Sequence, residues 1–212
     1  MKNIQYTPKI LALLILFTLQ ATYTLAQTAS PKEPMMVNAK ITSTGDLEIT
    51  PSTTSSQNDF NFLVGKWAMT NKRLKTRLNN CTEWIPFEAT GDYSMILNGI
   101  GNMDIYKSAF NPVNNNKPFE GITVRLYNPE TKLWSLFWAD SNYGSMDPPV
   151  VGSFEGKIGK FYCKDTFQGK PVIVMFRWEK ISKDNYLWSQ AFSPDNGVTW
   201  EVNSTSIAHR IK

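Results

Sequence analysis

Residues 59–75, DFNFLVGKWAMTNKRLK, decide the fold of this 212-residue chain. The stretch follows a polar segment rich in serine and threonine, and it begins a long series of predicted strands. Gly65 and Trp67 stand at its centre, where an apolar turn passes into the first strand. A tryptophan this early can fill the end of a closed sheet, and a glycine lets the chain approach that end at a tight angle. The stretch therefore predicts the start of a closed β-domain.

The first 26 residues have the pattern of a secretory signal. Lys2 and Lys9 make the start basic, residues 10–17 form a short apolar run, and a small-residue cleavage site ends at Ala26. The apolar run is too short to span a bilayer, so we expect no stable membrane insertion after cleavage. The pattern predicts a secreted or periplasmic protein, and an uncleaved N-terminal anchor is the alternative.

The charge of the chain argues against a nucleic-acid partner. The full chain has 22 basic and 18 acidic residues, a net charge of +4. Removal of Lys2 and Lys9 with the signal leaves 20 basic residues and a net charge of +2. Binding to a phosphate backbone needs clustered basic residues. One short basic run is interpreted instead as a solvated strand edge, and it comprises Lys72, Arg73, Lys75 and Arg77.

The rest of the chain divides into a spacer and one all-β domain. Residues 27–58 contain prolines and a Ser/Thr run, which predicts a flexible spacer, although residues 40–50 could add a short strand. Residues 59–212 are rich in aromatic and β-branched residues and show no helical period. Strands are predicted at residues 66–75, 83–88, 92–97, 100–107, 121–127, 133–140, 150–155, 158–165, 172–181, 186–192 and 199–211.

The connections between these strands favour an antiparallel up-and-down β-barrel of about ten strands. Asn98-Gly99 predicts a type I′ hairpin, and Asn128-Pro129-Glu130-Thr131 predicts a turn into a hairpin partner. Consecutive hairpin-linked strands must protect their edges, and closure into a barrel does so most simply. A two-sheet sandwich is the alternative.

Two features of this domain resemble a known superfamily. Gly65-x-Trp67 at the start of the first strand, with Arg210 near the end of the last, is similar to the signature of lipocalins and their calycin relatives. The stretch from Asp59 through Trp138-x-Asp140 to Arg210 also resembles a group of secreted bacterial domains of unknown function with a lipocalin-like barrel. The resemblance implies that Arg210 crosses over Trp67 and seals the closed end of the barrel.

A second resemblance lies near the end of the chain. Residues 193–200, SPDNGVTW, are similar to the Asp box of sialidase-like propellers, where the box is structural. A propeller requires repeated blades, and this sequence has one copy of the box. The motif therefore predicts a rigid turn in which Asp195, Gly197 and Trp200 have structural roles.

Strand parity indicates which side chains could hold a ligand. If the relevant faces turn inward, the barrel contains two guanidiniums among tryptophans, and a buried guanidinium needs a carboxylate or an anionic ligand. The spacing Arg-x-Tyr at residues 125–127 is similar to the head-group clamp of fatty-acid-binding proteins. In the alternative, the arginines pair with Asp140 or Glu179, or face solvent. The ligand-binding candidates are Arg125, Tyr127, Trp138, Asp140, Arg177, Trp188 and Gln190.

These observations favour an exported, non-enzymatic barrel that binds a small amphipathic or anionic molecule in its lumen, without a cofactor. One alternative is a hydrolase or isomerase that uses Asp140 with Arg125 or Arg177 in the same cavity. Another is a packed cell-surface interaction module that uses the loops at residues 110–118 and 141–149.

The histidine and the cysteines give weaker indications. His209 is the single histidine, so it cannot form a multi-histidine metal site. Haem-binding barrels of the nitrobindin type, which are also calycin-like, take their ligand from a histidine on the final strand. However, the side chains of His209 and Arg210 face opposite sides, so His209 is expected outside. Cys81 and Cys163 form either a disulfide or two separate thiols, and the sequence leaves both possibilities open.

Overall fold

Ten antiparallel strands close into a barrel in the computed structural model, which describes residues 36–110 and 117–212. A separate hairpin precedes the barrel and consists of β1 (Ala39–Ile41) and β2 (Leu47–Ile49). The barrel strands are β3 (Gly65–Leu74), β4 (Trp84–Ile96), β5 (Gly101–Ser108), β6 (Phe119–Asn128), β7 (Leu133–Asp140), β8 (Val150–Glu155), β9 (Ile158–Phe167), β10 (Lys170–Ser182), β11 (Asn185–Ser193) and β12 (Glu201–Arg210).

Each barrel strand pairs with its neighbours in sequence, and the last strand pairs with the first. In this closing pair, Arg210 lies opposite Trp67 and Ser204 lies opposite Arg73. Every barrel strand therefore has a hydrogen-bonded neighbour on both sides. The predicted lipocalin-like up-and-down barrel is confirmed, and the sandwich alternative is wrong.

The barrel has two different ends. The end that we call the closed end carries the turns after β4, β6, β8 and β10, together with a short 3-10 helix at Asn61–Leu63. The opposite end, which we call the open end, carries the loops at residues 75–83, 141–149, 168–169 and 194–200. No helix in the described part of the chain is long and apolar enough to cross a membrane.

Residues 36–58 correct the predicted spacer. The backbone N–H of Val37 donates to the Tyr162 hydroxyl, and the backbone N–H of Ser52 donates to Ser153 Oγ at 2.9 Å. The β1–β2 hairpin packs on Met175 and Ala191, which are buried on the outer face of the barrel. This part of the chain is therefore packed against the barrel. The predicted signal and residues 27–35 lie outside the described residues.

Two local predictions on the following strands also differ from the structure. The strands expected at residues 83–88 and 92–97 are one continuous strand, β4, of 13 residues. Gly91 does not interrupt it, because the glycine faces the lumen, where a Cβ would lie 2.5 Å from the Tyr93 ring. The turn after β4 is wider than a two-residue hairpin, since Leu97, Asn98 and Gly99 all have positive φ angles.

Candidate functional site

Aromatic side chains fill the closed end of the barrel. Phe60 is fully buried, and its ring centroid lies 5.0 Å from those of Trp134 and Phe154 and 5.5 Å from that of Trp178. Leu63, in the adjacent 3-10 helix, is also fully buried. The segment before β3 thus occupies the closed end with apolar side chains.

Arg210 covers this end, in the arrangement that the lipocalin resemblance implies. Its guanidinium carbon lies 4.4 Å from the centroid of the Trp67 ring. Its Nη1 and Nη2 donate to the carbonyl oxygens of Val64 and Phe62 at 2.6 and 2.7 Å. Gly65 has a φ of +115°, and a Cβ there would lie 2.8 Å from Arg210 Nη1. The glycine is therefore required both by its backbone angle and by the close approach of the arginine.

Arg125, the first predicted ligand residue, is inside the barrel but already has a carboxylate partner. Its Nη1 lies 2.6 Å from Asp104 Oδ1, and both side chains are at most 3% exposed. The same nitrogen donates to Asn102 Oδ1 at 3.1 Å. The guanidinium also lies over the rings of Phe60 and Tyr93, at 5.4 Å from each centroid. Its charge is thus compensated within the protein, as the alternative in the sequence analysis allowed, although the partner is Asp104.

Burial dominates the electrostatics of this internal pair. It raises the pKa of Asp104, while the neighbouring Arg125 guanidinium and a hydrogen bond with Thr123 oppose the shift. The hydroxyls of Tyr93 and Tyr186 are 2.9 Å apart, and burial raises the pKa of both phenols. The Asp104–Arg125 ion pair and the two tyrosine hydroxyls are thus all enclosed deep in the barrel.

Five further predicted ligand residues lie on the inner face. Tyr127 packs on Trp134, with 5.4 Å between ring centroids, and Trp188 packs on Phe176 at 5.2 Å. The indole of Trp138 donates to Asp140 Oδ2 at 3.0 Å. Gln190 shares the inner face of β11 with Trp188. These side chains are half-buried, whereas Arg125 is fully enclosed.

Arg177 is a correction to the predicted set. It lies on the outer face of β10 and forms an ion pair with Glu179, with 2.8 Å between Nη1 and Oε2. Parity misled because β10 is buried on both faces: Val174 and Trp178 point inward, while Met175 is covered by the β1–β2 hairpin. Neither arginine pairs with Asp140, because Arg125 pairs with Asp104 and Arg177 with Glu179.

A cleft of about 880 Å³ lies at the open end of the barrel. Its walls come from the end of β3 and the following loop, from the β9–β10 turn, and from the loop before β12. Most charged side chains in these walls are basic, and Glu201 is the acidic one among the described residues. The residues that line the cleft include Arg73, Arg77, Phe167, Lys170, Trp200 and Glu201.

Arg73 and Arg77 give the cleft a net positive charge, which the Glu201 carboxylate offsets in part at Arg77. Both are half-buried, and within the described ranges neither has a carboxylate oxygen closer than 4 Å. Burial lowers the pKa of both guanidiniums. Burial and repulsion from Arg73 lower the pKa of Arg77 to about 10, while attraction to the Glu201 carboxylate opposes this shift, so Arg77 remains charged at neutral pH. The Arg77 guanidinium lies 5.1 Å from the centroid of the Phe192 ring, which joins it to the apolar wall.

The basic run predicted to be a solvated edge therefore has two faces. Lys72 and Lys75 are exposed, and Lys75 pairs with Glu83. Arg73 turns into the cleft because it shares the inner face of β3 with Trp67. Arg77 lies in the following loop, which the Glu201 carboxylate holds over the barrel end by accepting the Leu78 N–H at 2.8 and 2.9 Å. Alternation along β3 was a usable signal for Arg73, but the loop contact was not visible in the sequence.

The predicted turn at residues 193–200 forms one rim of the cleft. Asp195 Oδ1 accepts the Thr199 N–H and the Ser193 hydroxyl, each at 2.8 Å. The Trp200 indole donates to the Gly197 carbonyl at 3.0 Å, and Gly197 has a positive φ. These bonds build the rigid turn expected from the motif.

His209 and the two cysteines do not form a metal-binding group with the other described residues. His209 is exposed on the outer face of β12 and contacts Asn185 through its Nδ1. Cys81 and Cys163 are both free thiols. Within residues 36–110 and 117–212, no group of three or more His, Cys, Asp or Glu side chains is placed to hold a metal ion.

Comparison with known proteins gives a likeness in fold alone. No protein family and no curated protein matches the sequence. Among solved structures, the chain is similar to the S-type phycobiliprotein lyase CPES from Guillardia theta, with a TM-score of 0.50 and 13% sequence identity. The match covers 76% of this chain and 94% of the lyase. At this identity, the comparison supports the barrel architecture and leaves the activity open.

Proposed function

We propose that this chain is an exported, non-enzymatic lipocalin-like barrel that binds a small amphipathic anion through its open end. The observation that carries the proposal is the pair Arg73 and Arg77, two half-buried guanidiniums in a cleft of about 880 Å³, with no carboxylate oxygen of the described residues within 4 Å. A desolvated cation is costly, and an anionic ligand offsets that cost.

The cleft can recognise both parts of such a ligand. A carboxylate, sulfate or sulfonate can accept parallel hydrogen bonds from a planar guanidinium, and bonds to charged groups contribute about 1.5–3 kcal/mol each. Phe167 and Phe192, whose ring centroids are 5.5 Å apart, provide an apolar surface beside the charges. An apolar tail could continue towards the half-buried Trp188 and Gln190 on the inner face of β11.

This proposal moves the anion anchor from the position that the sequence analysis favoured. Arg125 is paired with Asp104 behind the aromatic closed end, so it would bind an anion only by giving up that partner. Arg73 and Arg77 form no such ion pair with the described residues. The remaining inward residues of the predicted set contribute to the lumen wall rather than to the charged contact.

Export is part of the proposal and rests on the signal-like pattern of residues 1–26. The neighbour of similar fold is named as a lyase of phycobiliproteins. That name does not assign a reaction here, because the chains share 13% identity. Sequencing of the N-terminus after secretion tests export: we expect a chain that begins at Gln27, and an intact Met1 would contradict it.

Titration with 8-anilinonaphthalene-1-sulfonate, an aromatic anion that fluoresces when it is bound, tests the charge pair. We expect Arg73→Gln or Arg77→Gln to weaken binding about tenfold, and the double variant about a hundredfold. Lys66→Gln is the control, because it removes one positive charge at the closed end, where Lys66 pairs with Asp92. Equal affinity in the double variant and in the control would overturn the proposal.

A further inference from the structure

Asn203 occupies a β-bulge immediately below the basic cleft. Across this bulge, Ala191 pairs with Val202 and Gln190 pairs with Ser204, so Asn203 is the extra residue of β12. Its backbone neighbour Ser204 lies opposite Arg73, and Glu201, two residues earlier, lines the cleft. The bulge thus inserts one more side chain close to two residues of the cleft wall, Arg73 and Glu201.

The side chain of Asn203 is fully buried. It is 0% exposed, whereas Val202 and Ile207, which point outward on the same strand, are 37% and 48% exposed. We infer from this contrast that Asn203 points into the barrel. Ser206, the next inward residue after Ser204, is also buried and lies opposite Asn71 on β3.

Three polar atoms of these two residues lack a hydrogen-bond partner within residues 36–110 and 117–212. They are Asn203 Nδ2, Asn203 Oδ1 and Ser206 Oγ, and all are shielded from solvent. Buried polar atoms are almost always paired in folded proteins, and a complete side-chain amide without any partner is unusual. Arg77 Nε, at the cleft above, is also buried and unpaired. The polar groups without partners therefore extend from the cleft into the lumen.

The chemistry of Asn203 specifies what would satisfy it. Its amide offers one donor group and one acceptor side by side, and a ligand amide presents the complementary pair. A hydroxyl from Ser206 adds a donor or an acceptor three residues further along β12. A neutral ligand group that both donates and accepts fits this subsite better than a second charge, because no charged side chain stands beside it in β12 between residues 202 and 208.

The spacing between the two subsites is short. One inward layer of a strand, which is two residues, corresponds to about 7 Å. Arg73 stands at the level of Ser204, and its long side chain reaches the cleft. An amide a few bonds from a carboxylate can therefore contact Asn203 while the carboxylate remains at the arginines.

We infer that Asn203 and Ser206 form a hydrogen-bonding subsite for an amide group, so that the ligand is an N-acylated amino acid or a similar amphipathic anion. The inference rests on the proposed function, because the carboxylate of such a ligand is held by Arg73 and Arg77. The amide contacts the bulge in β12, and the acyl chain continues along the apolar lumen.

Two probes of equal length test the subsite by calorimetry. N-Decanoylglycine and tridecanoate both end in a carboxylate, and they differ in that an amide replaces two methylenes. We expect the wild-type protein to prefer N-decanoylglycine about tenfold. Asn203→Leu, which is similar in volume, should abolish this preference without weakening tridecanoate, and Ser206→Ala should reduce it.

A stability measurement separates this role from a structural one. Because Asn203→Leu removes two unpaired buried polar atoms, we expect the free variant to melt at the same temperature as the wild type or higher. A variant that melts much lower and loses both probes equally would overturn the subsite and indicate that Asn203 supports the fold.

The remaining outcomes distinguish the inference from the proposed function. If tridecanoate binds and depends on Arg73 and Arg77, but wild type shows no preference for the amide, the subsite is wrong and the anion-binding function stands. If neither probe binds, both are wrong. If Asn203→Leu keeps the full amide preference, the amide is recognised elsewhere and the inference fails.

Discussion

The guanidinium of Arg210 lies on the indole of Trp67, with 4.4 Å between its central carbon and the ring centroid. This contact joins the last barrel strand to the first, and the hydrogen bonds of Arg210 to the carbonyls of Phe62 and Val64 attach the preceding segment to the same point. The closed end is thus held at the position where the barrel closes. The basic cleft lies at the opposite end, so stability and the proposed binding should be separable by mutation.

Arg210→Ala tests this separation. We expect a loss of about 2–4 kcal/mol in the free energy of unfolding, because the carbonyls of Phe62 and Val64 lose their donor and the Trp67 ring loses its contact with the guanidinium. Affinity for the fluorescent anion should not change. Urea denaturation and the dye titration measure the two quantities. An unchanged melting temperature together with lost binding would contradict a structural role for Arg210.

The internal pair Asp104 and Arg125 should show strong coupling. Asp104→Leu and Arg125→Met should each cost about 3–5 kcal/mol, because each leaves a buried charge without its partner. The double variant should be more stable than either single variant. The exposed pair Lys107 and Glu120, 2.9 Å apart, is the matched control and should show coupling of less than about 1 kcal/mol. Additive losses at Asp104 and Arg125 would show that the pair is not a unit.

The packed segment before the barrel should contribute measurably to stability. A chain that begins at residue 59 should melt about 10 °C lower than one that begins at residue 36, because Met175 and Tyr162 lose their cover. Ser153→Ala, which leaves the Ser52 N–H without its acceptor, should cost about 1–2 kcal/mol. Equal melting of the two chains would restore the spacer interpretation for residues 36–58.

The two thiols should differ in reactivity, with a defined pH dependence. Burial raises the pKa of Cys163 to about 12, whereas hydrogen bonding to Thr76 lowers the pKa of Cys81. The thiolate is the reactive form, so at pH 8 only about one Cys163 in 10,000 is ionised. Iodoacetamide should label Cys81 first, and the Cys163 rate should rise about tenfold per pH unit up to pH 11. Peptide mass spectrometry measures both rates, and blocked labelling that requires a reductant would instead indicate a disulfide.

The sequence predicted the barrel well because its strands are amphipathic and separated by strong turn signals. The predicted boundaries of β7 and β8 agree with the structure to the residue. Parity also placed Arg125 inside and His209 outside. It failed for Arg177, because both faces of β10 are covered. Apolar residues then occur on both faces, and alternation does not indicate which face is the inner one. The sequence also divided β4 into two strands, whereas the structure has one continuous strand through Gly91. This glycine leaves room for the Tyr93 ring and does not end the strand.

The site was less predictable because it depends on tertiary contacts. Arg77 enters the cleft only because Glu201, 123 residues after Leu78, holds the β3–β4 loop. The inward position of Asn203 depends on a bulge that shifts the register of β12, and the sequence around it has no proline or glycine to mark that shift. Neither the loop contact nor the bulge is marked by a pattern in the neighbouring sequence.

Native mass spectrometry of the mature protein, equilibrated with matched ten- to fourteen-carbon carboxylates, alcohols and trimethylammonium salts, tests the central claim most directly. The account predicts that the wild type retains carboxylates in preference to the neutral and cationic amphiphiles, and that Arg73→Gln/Arg77→Gln loses this retention while Lys66→Gln keeps it. Equal retention of all three classes, retention of none, or carboxylate binding that survives in the double variant would contradict an anion site at the open end.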